Sequence, residues 1–206
     1  MILVDLNQVM ISNLMIQVGG NKNVELDENL FRHMILNTLR SNRTKFGDKF
    51  GELVICCDDK NFWRRERFPY YKANRKKYRD QSTIDWSTVF NTLNKVRDEI
   101  EEFFPYKVIH IDGCEADDII GTLVEQTQEF GHHEDVMIVS ADGDFKQLQK
   151  YNNVKQFSPL TKKEVKDDNP RLNLIDKILR GDTFTIFGYG QSGSGKTSSL
   201  IYSDFL

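Results

Sequence analysis

The sequence predicts an α/β fold, in which a central parallel-type sheet is flanked by helices and carries a basic helical-arch insertion. Three observations predict it. Short apolar runs at residues 2–4, 53–57 and 136–139 have the length and composition of buried parallel strands. Segments with the spacing of amphipathic helices separate these runs, an order typical of strands joined by crossover helices. A cationic and aromatic run directly after the second strand predicts the insertion.

The composition is typical of a soluble globular protein with one main domain. Of the 206 residues, 39% are hydrophobic and 29% are charged, which is enough for one sizeable core. No apolar run reaches the length of a membrane span, and Asp5 interrupts the first run too early for a signal peptide. We therefore expect a cytoplasmic protein without a membrane partner. Cys56, Cys57 and Cys114 lack the spacing of metal ligands or of a disulfide framework and are expected to pack as small core residues.

The net charge of −3 argues against indiscriminate binding to nucleic acid. The charges are segregated along the chain, however, so the local distribution matters more than the total.

The first part of the chain has the pattern strand, helix, strand. Residues 2–4 end at Asp5, which predicts a buried strand with an acid at its carboxyl end. Apolar residues recur with helical spacing from about 27 to 39, and a polar connection is predicted over 41–51. The second apolar run predicts another buried strand, again followed by an acid, Asp58.

Residues 60–79 form a cationic segment that is interleaved with aromatic residues. Nine lysines and arginines stand against one acid, Glu66. Basic side chains neutralise phosphates and aromatic rings stack on unpaired bases, so this composition indicates a surface for single-stranded nucleic acid. The alternative interpretation is a solvated basic helix with a few packed aromatic residues. The position directly after Asp58 favours a phosphodiester substrate.

Helical spacing resumes from about 84 to 104 and stops before Pro105. Residues 107–111 predict a third strand. Turn-forming residues surround a further short strand predicted within 151–168, and residues 172–179 predict a short amphipathic helix.

Two acidic clusters flank the apolar run at 136–139. Glu115, Asp117 and Asp118 begin an apolar-periodic segment, so they are expected in the first turn of a helix, where the helix dipole favours negative charge. Beyond the strand come Asp142 and Asp144, separated by a glycine that permits a sharp bend.

Seven carboxylates are therefore expected at one crevice, because ligands of open α/β sheets bind beyond the carboxyl ends of the strands. They are Asp5, Asp58, Glu115, Asp117, Asp118, Asp142 and Asp144. Carboxylates that converge without nearby cations raise one another's pKa and oppose folding unless metal ions neutralise them. An all-oxygen set suits Mg²⁺, for which Mn²⁺ can substitute. Each acid alone could be a helix cap or a turn former, but their coincidence favours a metal-dependent phosphodiesterase.

The assembled motifs resemble the 5′-nuclease superfamily of flap endonucleases and polymerase-associated 5′ exonucleases, from residue 2 to about residue 182. These motifs are Val4-Asp5, Cys57-Asp58, Phe62-Trp63-Arg64-Arg65, Tyr70-Tyr71-Lys72-Ala73-Asn74-Arg75, Glu115-Ala116-Asp117-Asp118 and Ser140-Ala141-Asp142-Gly143-Asp144-Phe145. The resemblance implies a 5′-nuclease catalytic domain over 1–182, truncated before the part that binds duplex DNA. It also implies a 5′→3′ exonuclease and flap endonuclease with ribonuclease H activity, which removes RNA primers or 5′ flaps during phage DNA replication.

The resemblance further implies partners and residue roles. The substrates would be DNA with a 5′ flap or an RNA–DNA hybrid, with replication proteins as further partners, in the cytoplasm of an infected host cell. The seven carboxylates and Asp182 would be direct or water-mediated ligands of two Mg²⁺ ions, so that no side chain need be the nucleophile. The implied catalytic residues are Lys72, Arg75, Asp142 and Asp117. The implied substrate-binding residues are Arg64, Arg65, Tyr70, Tyr71, Lys72, Arg75 and Lys76.

After Asp182 the sequence departs from the family. Thr185 stands where family members have a second aspartate. The stretch from Gly190 to Thr197 fits the pattern G-x-x-x-x-G-K-[ST] of a phosphate-binding loop and is similar to that of kinesin motors. About ten residues follow it, too few for the helix and second acidic strand that such a loop needs. We interpret residues 183–206 as a foreign or misjoined tail without a working nucleotide site.

Two alternatives to the nuclease function stay open on the sequence. One is a catalytically impaired remnant that still binds nucleic acid. The other is a fusion with a fragment of a P-loop NTPase, which rests on the tail alone.

Overall fold

Six strands form one sheet in the computed structural model, which describes residues 1–18, 27–72, 85–129 and 133–166. The strands are β1 (Ile2–Asp5), β2 (Leu53–Cys57), β3 (Lys107–His110), β4 (Val136–Val139), β5 (Val154–Ser158) and β6 (Lys163–Val165). Their spatial order is β3-β2-β1-β4-β5-β6. Strands β1 to β5 are parallel, and β6 runs antiparallel to β5. The strand order reverses between β1 and β4, and ligands of such sheets bind beyond the carboxyl ends at that point.

Helices cover both faces of the sheet. They are α1 (Leu6–Val18), α2 (Glu28–Phe50), α3 (Trp63–Arg67), α4 (Trp86–Phe103), α5 (Ala116–Gln128) and a 3₁₀ helix (Gly143–Lys150). Side chains of β1 alternate between the two faces, as a pleated strand requires. Ile2 and Val4 pack in one cluster with α1, α2 and α4, whereas Leu3 packs in the other with α5 and the 3₁₀ helix.

The predicted α/β class with a mostly parallel sheet is confirmed. The strands expected at residues 2–4, 53–57, 107–111 and 136–139 are all present, and the expected helix from about 84 to 104 is α4. The short strand expected within 151–168 is a pair, β5 and β6. The helix predicted at 172–179, most of the arch beyond residue 72 and the tail at 183–206 lie outside the described residues.

The polar connection predicted over 41–51 is wrong, because α2 continues to Phe50. Asn42, Phe46 and Phe50 extend the buried stripe of the preceding turns, so the helix has an apolar face that the many charged residues of this stretch obscure. The helix ends at Gly51, whose φ of +80° is a conformation that favours glycine.

Helix α1 was not expected from the sequence. It begins directly after β1, and the side chain of Asp5 accepts a hydrogen bond from the Gln8 backbone N–H at 3.0 Å, as an N-terminal cap does. Polar and apolar residues are spread evenly around this helix, which leaves little contrast for a helical period. Its buried residues, among them Leu6, Val9, Met10 and Leu14, fill the core between the sheet and α2.

Cys56 and Cys57 are buried in β2 and Cys114 is partly buried, all as free thiols. Burial raises the pKa of Cys57 to about 12, so this thiol is unreactive at neutral pH.

No helix in the described part of the chain combines the length and the apolar character that a bilayer crossing requires.

Candidate metal and nucleic-acid site

The sheet delivers three aspartates to its carboxyl edge. Asp5 is the last residue of β1, Asp58 follows the neighbouring strand β2, and Asp142 follows β4 on the other side of β1. The first turn of α5 adds Asp117. These four residues are called the aspartate group below.

Asp5 lies deepest in the aspartate group, with only 7% of its surface exposed. It accepts hydrogen bonds from the Gln8 backbone N–H at 3.0 Å and from the Ser140 hydroxyl at 3.2 Å. Burial raises the pKa of the Asp5 carboxyl to about 8, and the negative charges of Asp117 and Asp58 add to this effect. A divalent cation bound here would relieve that cost.

Asp58 links the start of α5 to the sheet. One carboxylate oxygen accepts the backbone N–H of Ala116, the first residue of α5, at 2.7 Å. The other oxygen accepts a hydrogen bond from the Asn7 side chain at 2.6 Å. Free N–H groups at a helix start prefer a negatively charged acceptor, so this contact fixes α5 where its first turn faces β1 and β2.

Asp117 points into the same crevice and is partly buried. Burial raises the pKa of its carboxyl to about 7, with the Asp142 charge as the next largest cause. The positive charge of Lys72 acts in the opposite direction, and the charges of Asp58 and Glu115 raise the pKa further. The members of the aspartate group therefore repel one another across one crevice.

A tight turn after β4 holds Asp142. Its backbone N–H donates to the Ser140 hydroxyl at 3.1 Å, and its carboxylate accepts the Asp144 backbone N–H at 3.0 Å. Asp142 is thereby the N-terminal cap of the 3₁₀ helix, and Asp144 lies exposed on the first turn of that helix.

The expectation that the acids converge without nearby cations is wrong for Glu115. This residue is 1% exposed, and its carboxylate accepts hydrogen bonds from Arg64 at 2.9 Å, from Lys72 at 2.7 Å and from the Tyr71 hydroxyl at 3.1 Å. The cationic segment thus folds back onto the first turn of α5.

Asp118 is held by the same guanidinium group. Arg64 donates to both of its carboxylate oxygens at 2.6 Å, a bidentate pair, and the Trp63 indole donates at 3.2 Å. The Asp118 carboxylate also accepts the Glu115 backbone N–H at 3.1 Å. Arg64 is itself buried, so the three side chains of Arg64, Glu115 and Asp118 form an interior ion-pair network.

The aspartate group offers the oxygen ligands that a hard divalent cation prefers, because all four side chains are carboxylates. The raised pKa values of Asp5 and Asp117 show that these charges lack compensation in the metal-free protein. Within the described ranges, no three acidic, imidazole or thiol side chains converge closely enough to ligate one ion as they stand. A metal ion would therefore have to draw these carboxylates inward.

The predicted substrate-binding residues divide into two sets. Arg65 and Tyr70 face solvent, with Tyr70 76% exposed and the Arg65 guanidinium 4.6 Å from the ring centre of Phe62. The side chains of Arg64, Tyr71 and Lys72 instead turn inward to Glu115. The remaining predicted site residues, Arg75, Lys76 and Asp182, lie outside the described residues.

Sequence reasoning missed three polar residues that support the site. They are Asn7 on Asp58, Ser140 between Asp5 and Asp142, and Gln156 beneath the turn that carries Asp142. Strand β5 also contains the polar residues Lys155 and Ser158, so the local pattern does not show that Gln156 is the buried amide that requires partners.

A surface depression of about 1030 Å³ lies elsewhere, along the carboxyl-terminal half of α2 beside Phe104 and Tyr106. None of the predicted site residues that the structure describes lines it. This depression therefore lies apart from the aspartate group.

The chain matches the family described as 5′-3′ exonuclease, N-terminal resolvase-like domain, over residues 29–173. It is similar to the ribonuclease H of Enterobacteria phage T4, with 39% identity over 185 residues that cover 87% of this chain and 59% of that protein. It is also 28% identical to a 5′-3′ exonuclease of Buchnera aphidicola, over 65% of this chain and 44% of that protein.

Solved structures of bacteriophage T5 proteins share the fold. A T5 5′-exonuclease with bound divalent zinc ions superposes with a TM-score of 0.59 at 24% identity, over 81% of this chain and 57% of that one. A T5 flap endonuclease in a complex with DNA and metal ions gives a TM-score of 0.57 at 23% identity, over 80% and 57%. The chain thus spans less than two thirds of the length of these relatives.

Proposed function

We infer the function of this chain from the family to which it belongs, the 5′-3′ exonucleases with an N-terminal resolvase-like domain. We propose that it is a divalent-metal-dependent 5′→3′ exonuclease and flap endonuclease with ribonuclease H activity. Its task would be the removal of RNA primers or 5′ flaps during phage DNA replication. The phage T4 ribonuclease H supports this proposal by its identity, and the T5 structures support it by their metal ions and DNA.

The observation that carries the proposal is the aspartate group beside the cationic segment. Asp5 is buried and Asp117 is partly buried, both have raised pKa values, and the basic residues that precede and include Lys72 lie next to them. Carboxylates that a divalent ion would neutralise thus lie at the same edge of the sheet as basic side chains that can bind phosphate. A phosphodiester hydrolysed with the help of metal ions suits this combination best.

Each residue of the site has a role in the proposal. Bound Mg²⁺ or Mn²⁺, two ions in our proposal, would activate water and neutralise charge at the attacked phosphate. The aspartate group holds the ions, together with Asp144 and Asp182. Glu115 and Asp118 act as ligands through water or hold Arg64 in place. Arg65, Tyr70, Tyr71, Arg75 and Lys76 bind the nucleic acid, and Lys72 stabilises charge on the phosphate.

The proposed substrates are DNA with a 5′ flap and RNA–DNA hybrids, and replication proteins are the further partners. The proposed site of action is the cytoplasm of the infected cell, which the phage T4 relative supports.

A second candidate function is binding to nucleic acid without turnover. It is favoured by one observation, that Arg64 and Lys72 already neutralise Glu115 and Asp118, which were predicted to be metal ligands.

Cleavage of a 5′-labelled flap and of a labelled RNA–DNA hybrid separates the two functions. We expect short 5′ products with Mg²⁺ or Mn²⁺ and none with EDTA, while a gel-shift assay shows binding in all three conditions. Binding without cleavage in every divalent metal would reject the nuclease and support the binding function. Cleavage that persists in EDTA would reject the metal dependence.

A further inference from the structure

Gln156 is a fully buried amide at the middle of β5, with 0% of its surface exposed. Its side-chain nitrogen donates to the backbone carbonyl of Ser140 at 3.0 Å and to that of Asp142 at 2.7 Å. Both acceptors belong to the turn that carries Asp142 from β4 into the crevice. The glutamine therefore braces this turn from the neighbouring strand.

Only an amide can make this set of contacts. Two carbonyl partners identify the donating end of the Gln156 side chain, and its oxygen accepts the side-chain N–H of Gln149 at 3.1 Å. Gln149 in turn donates to the Val165 carbonyl at 3.0 Å, which connects the brace to β6. A carboxylate at position 156 would face two carbonyl oxygens without a proton to donate, and an apolar side chain would leave them unsatisfied.

Ser140 connects the same turn to Asp5 at the end of β1. The hydroxyl of this fully buried residue donates to the Asp5 carboxylate at 3.2 Å and accepts the Asp142 backbone N–H at 3.1 Å. The turn over residues 140–142 is thus held at two carbonyls by Gln156 and at one N–H by Ser140. Through the same hydroxyl it is linked to Asp5.

We propose that Gln156 and Ser140 are positioning residues of the metal site, which fix the turn that carries Asp142 and tie it to Asp5, so that a divalent ion can draw the two carboxylates together. This inference rests on the proposed function, since it assigns the two aspartates to metal binding. Residues that orient metal ligands by hydrogen bonds typically change metal affinity or activity by about 10- to 100-fold when they are replaced. Neither residue touches the ion or the substrate.

The test compares Gln156→Leu with Gln128→Leu. Gln128 is also buried, donates to the Glu134 carbonyl at 2.9 Å and accepts from Asn153 at 2.8 Å, but it lies at the opposite, amino edge of β4 and β5. Both variants lose an amide that braces a turn, so both should lower the melting temperature to a similar extent. Calorimetric titration with Mn²⁺, without nucleic acid, should show an affinity about 10-fold weaker for Gln156→Leu and nearly unchanged for Gln128→Leu.

Ser140→Ala is the second variant, because it removes a single oxygen and is expected to fold even if Gln156→Leu does not. It should weaken Mn²⁺ binding in the same direction and slow cleavage with an unchanged KM. Equal Mn²⁺ affinities for the parent, Gln156→Leu and Ser140→Ala would overturn the positioning role while the nuclease function stands. An equal loss of Mn²⁺ affinity in Gln128→Leu and Gln156→Leu would also overturn the positioning role. The nuclease function would still stand if the parent protein cleaves only with a divalent ion. No saturable Mn²⁺ binding by the parent would overturn both.

Discussion

Asp5 and Asp117 are acids that hold their protons into the neutral range. Burial raises their pKa values to about 8 and about 7, and the neighbouring aspartates add to the shift. A neutral acid avoids the desolvation cost of a buried charge, and a bound cation would displace the proton. Metal affinity of the site should therefore rise with pH across this range.

The first prediction concerns the stability of the metal-free protein. Both carboxyls have an ordinary pKa of 3.8 in the unfolded chain and a higher one in the folded chain. The unfolded state therefore releases protons that the folded state keeps, and the unfolding free energy falls as pH rises from about 4 to about 8. Thermal unfolding in EDTA measures this trend.

Asp5→Asn removes the group with the larger shift and should flatten the pH profile. At pH 8 the variant should be more stable than the parent by at least about 1 kcal/mol, since one pKa unit corresponds to about 1.4 kcal/mol. A melting temperature of the parent that rises over this pH interval would contradict the pKa values of both acids.

The second prediction concerns Asp142→Asn. The substitution keeps the shape of the side chain but removes the charge that a divalent ion needs, so cleavage should fall by more than about 100-fold. Binding to a flap substrate should stay within a few-fold, as measured by fluorescence anisotropy. Asp98→Asn is the matched control, because Asp98 is an exposed acid on α4 paired with Arg97. Unchanged cleavage in Asp142→Asn would remove Asp142 from the proposed ligands.

The positions of the acids could be predicted, but their partners could not. An aspartate that follows a buried strand is recognisable from the local pattern, and the structure brings Asp5, Asp58, Asp117 and Asp142 to one edge. The pairing of Glu115 with Arg64 joins residues 51 positions apart, and no local pattern encodes it.

At the scale of elements, the strands could be predicted from the sequence, whereas α1 could not. Buried strands are short and bounded by polar residues, so β1, β2 and β4 stand out in the sequence. Helix α1 has polar residues distributed all round it, so its pattern has no separate polar face that would reveal a period of 3.6 residues. Packing against the sheet and α2, rather than local preference, decides its structure.

Helix α3 and the turn that follows it bring the cationic segment onto α5. Lys72 has a φ of +54°, an uncommon conformation for a residue with a side chain, and its ammonium group binds Glu115 at 2.7 Å. The ion pair holds this part of the segment against the crevice. A phosphate placed near the aspartate group would compete with Glu115 for the same ammonium group.

The third prediction concerns this segment. Lys72→Ala and Arg75→Ala should each slow cleavage, and each should reduce the slope of log affinity against log salt by about 1, because fewer counterions are released on binding. Lys49→Ala is the control, since Lys49 is an exposed cation in the last turn of α2. Identical salt slopes for Lys72→Ala and Lys49→Ala would count against a phosphate contact by Lys72.

At the scale of the whole molecule, the fourth prediction separates the nuclease domain from residues 183–206. These residues contain the phosphate-loop pattern with Lys196 and lie outside the described structure. Lys196→Ala should leave cleavage unchanged, because the proposed site is built from the first 182 residues. Calorimetry with ATP or GTP should detect no saturable binding in the micromolar range. Tight nucleotide binding that depends on Lys196 would support the P-loop fusion instead.

The central position of β1 also dictates when the crevice can form during synthesis. β1 is the first strand to be made, yet its partner β4 is the fourth, and the contact between Ser140 and Asp5 spans 135 positions. Until β4 leaves the ribosome, one edge of β1 has unpaired N–H and C=O groups, which are prone to join another chain. A nascent chain that has completed only β1 to β3 therefore lacks the strand that presents Asp142, so the proposed metal site would be complete only once β4 has joined the sheet.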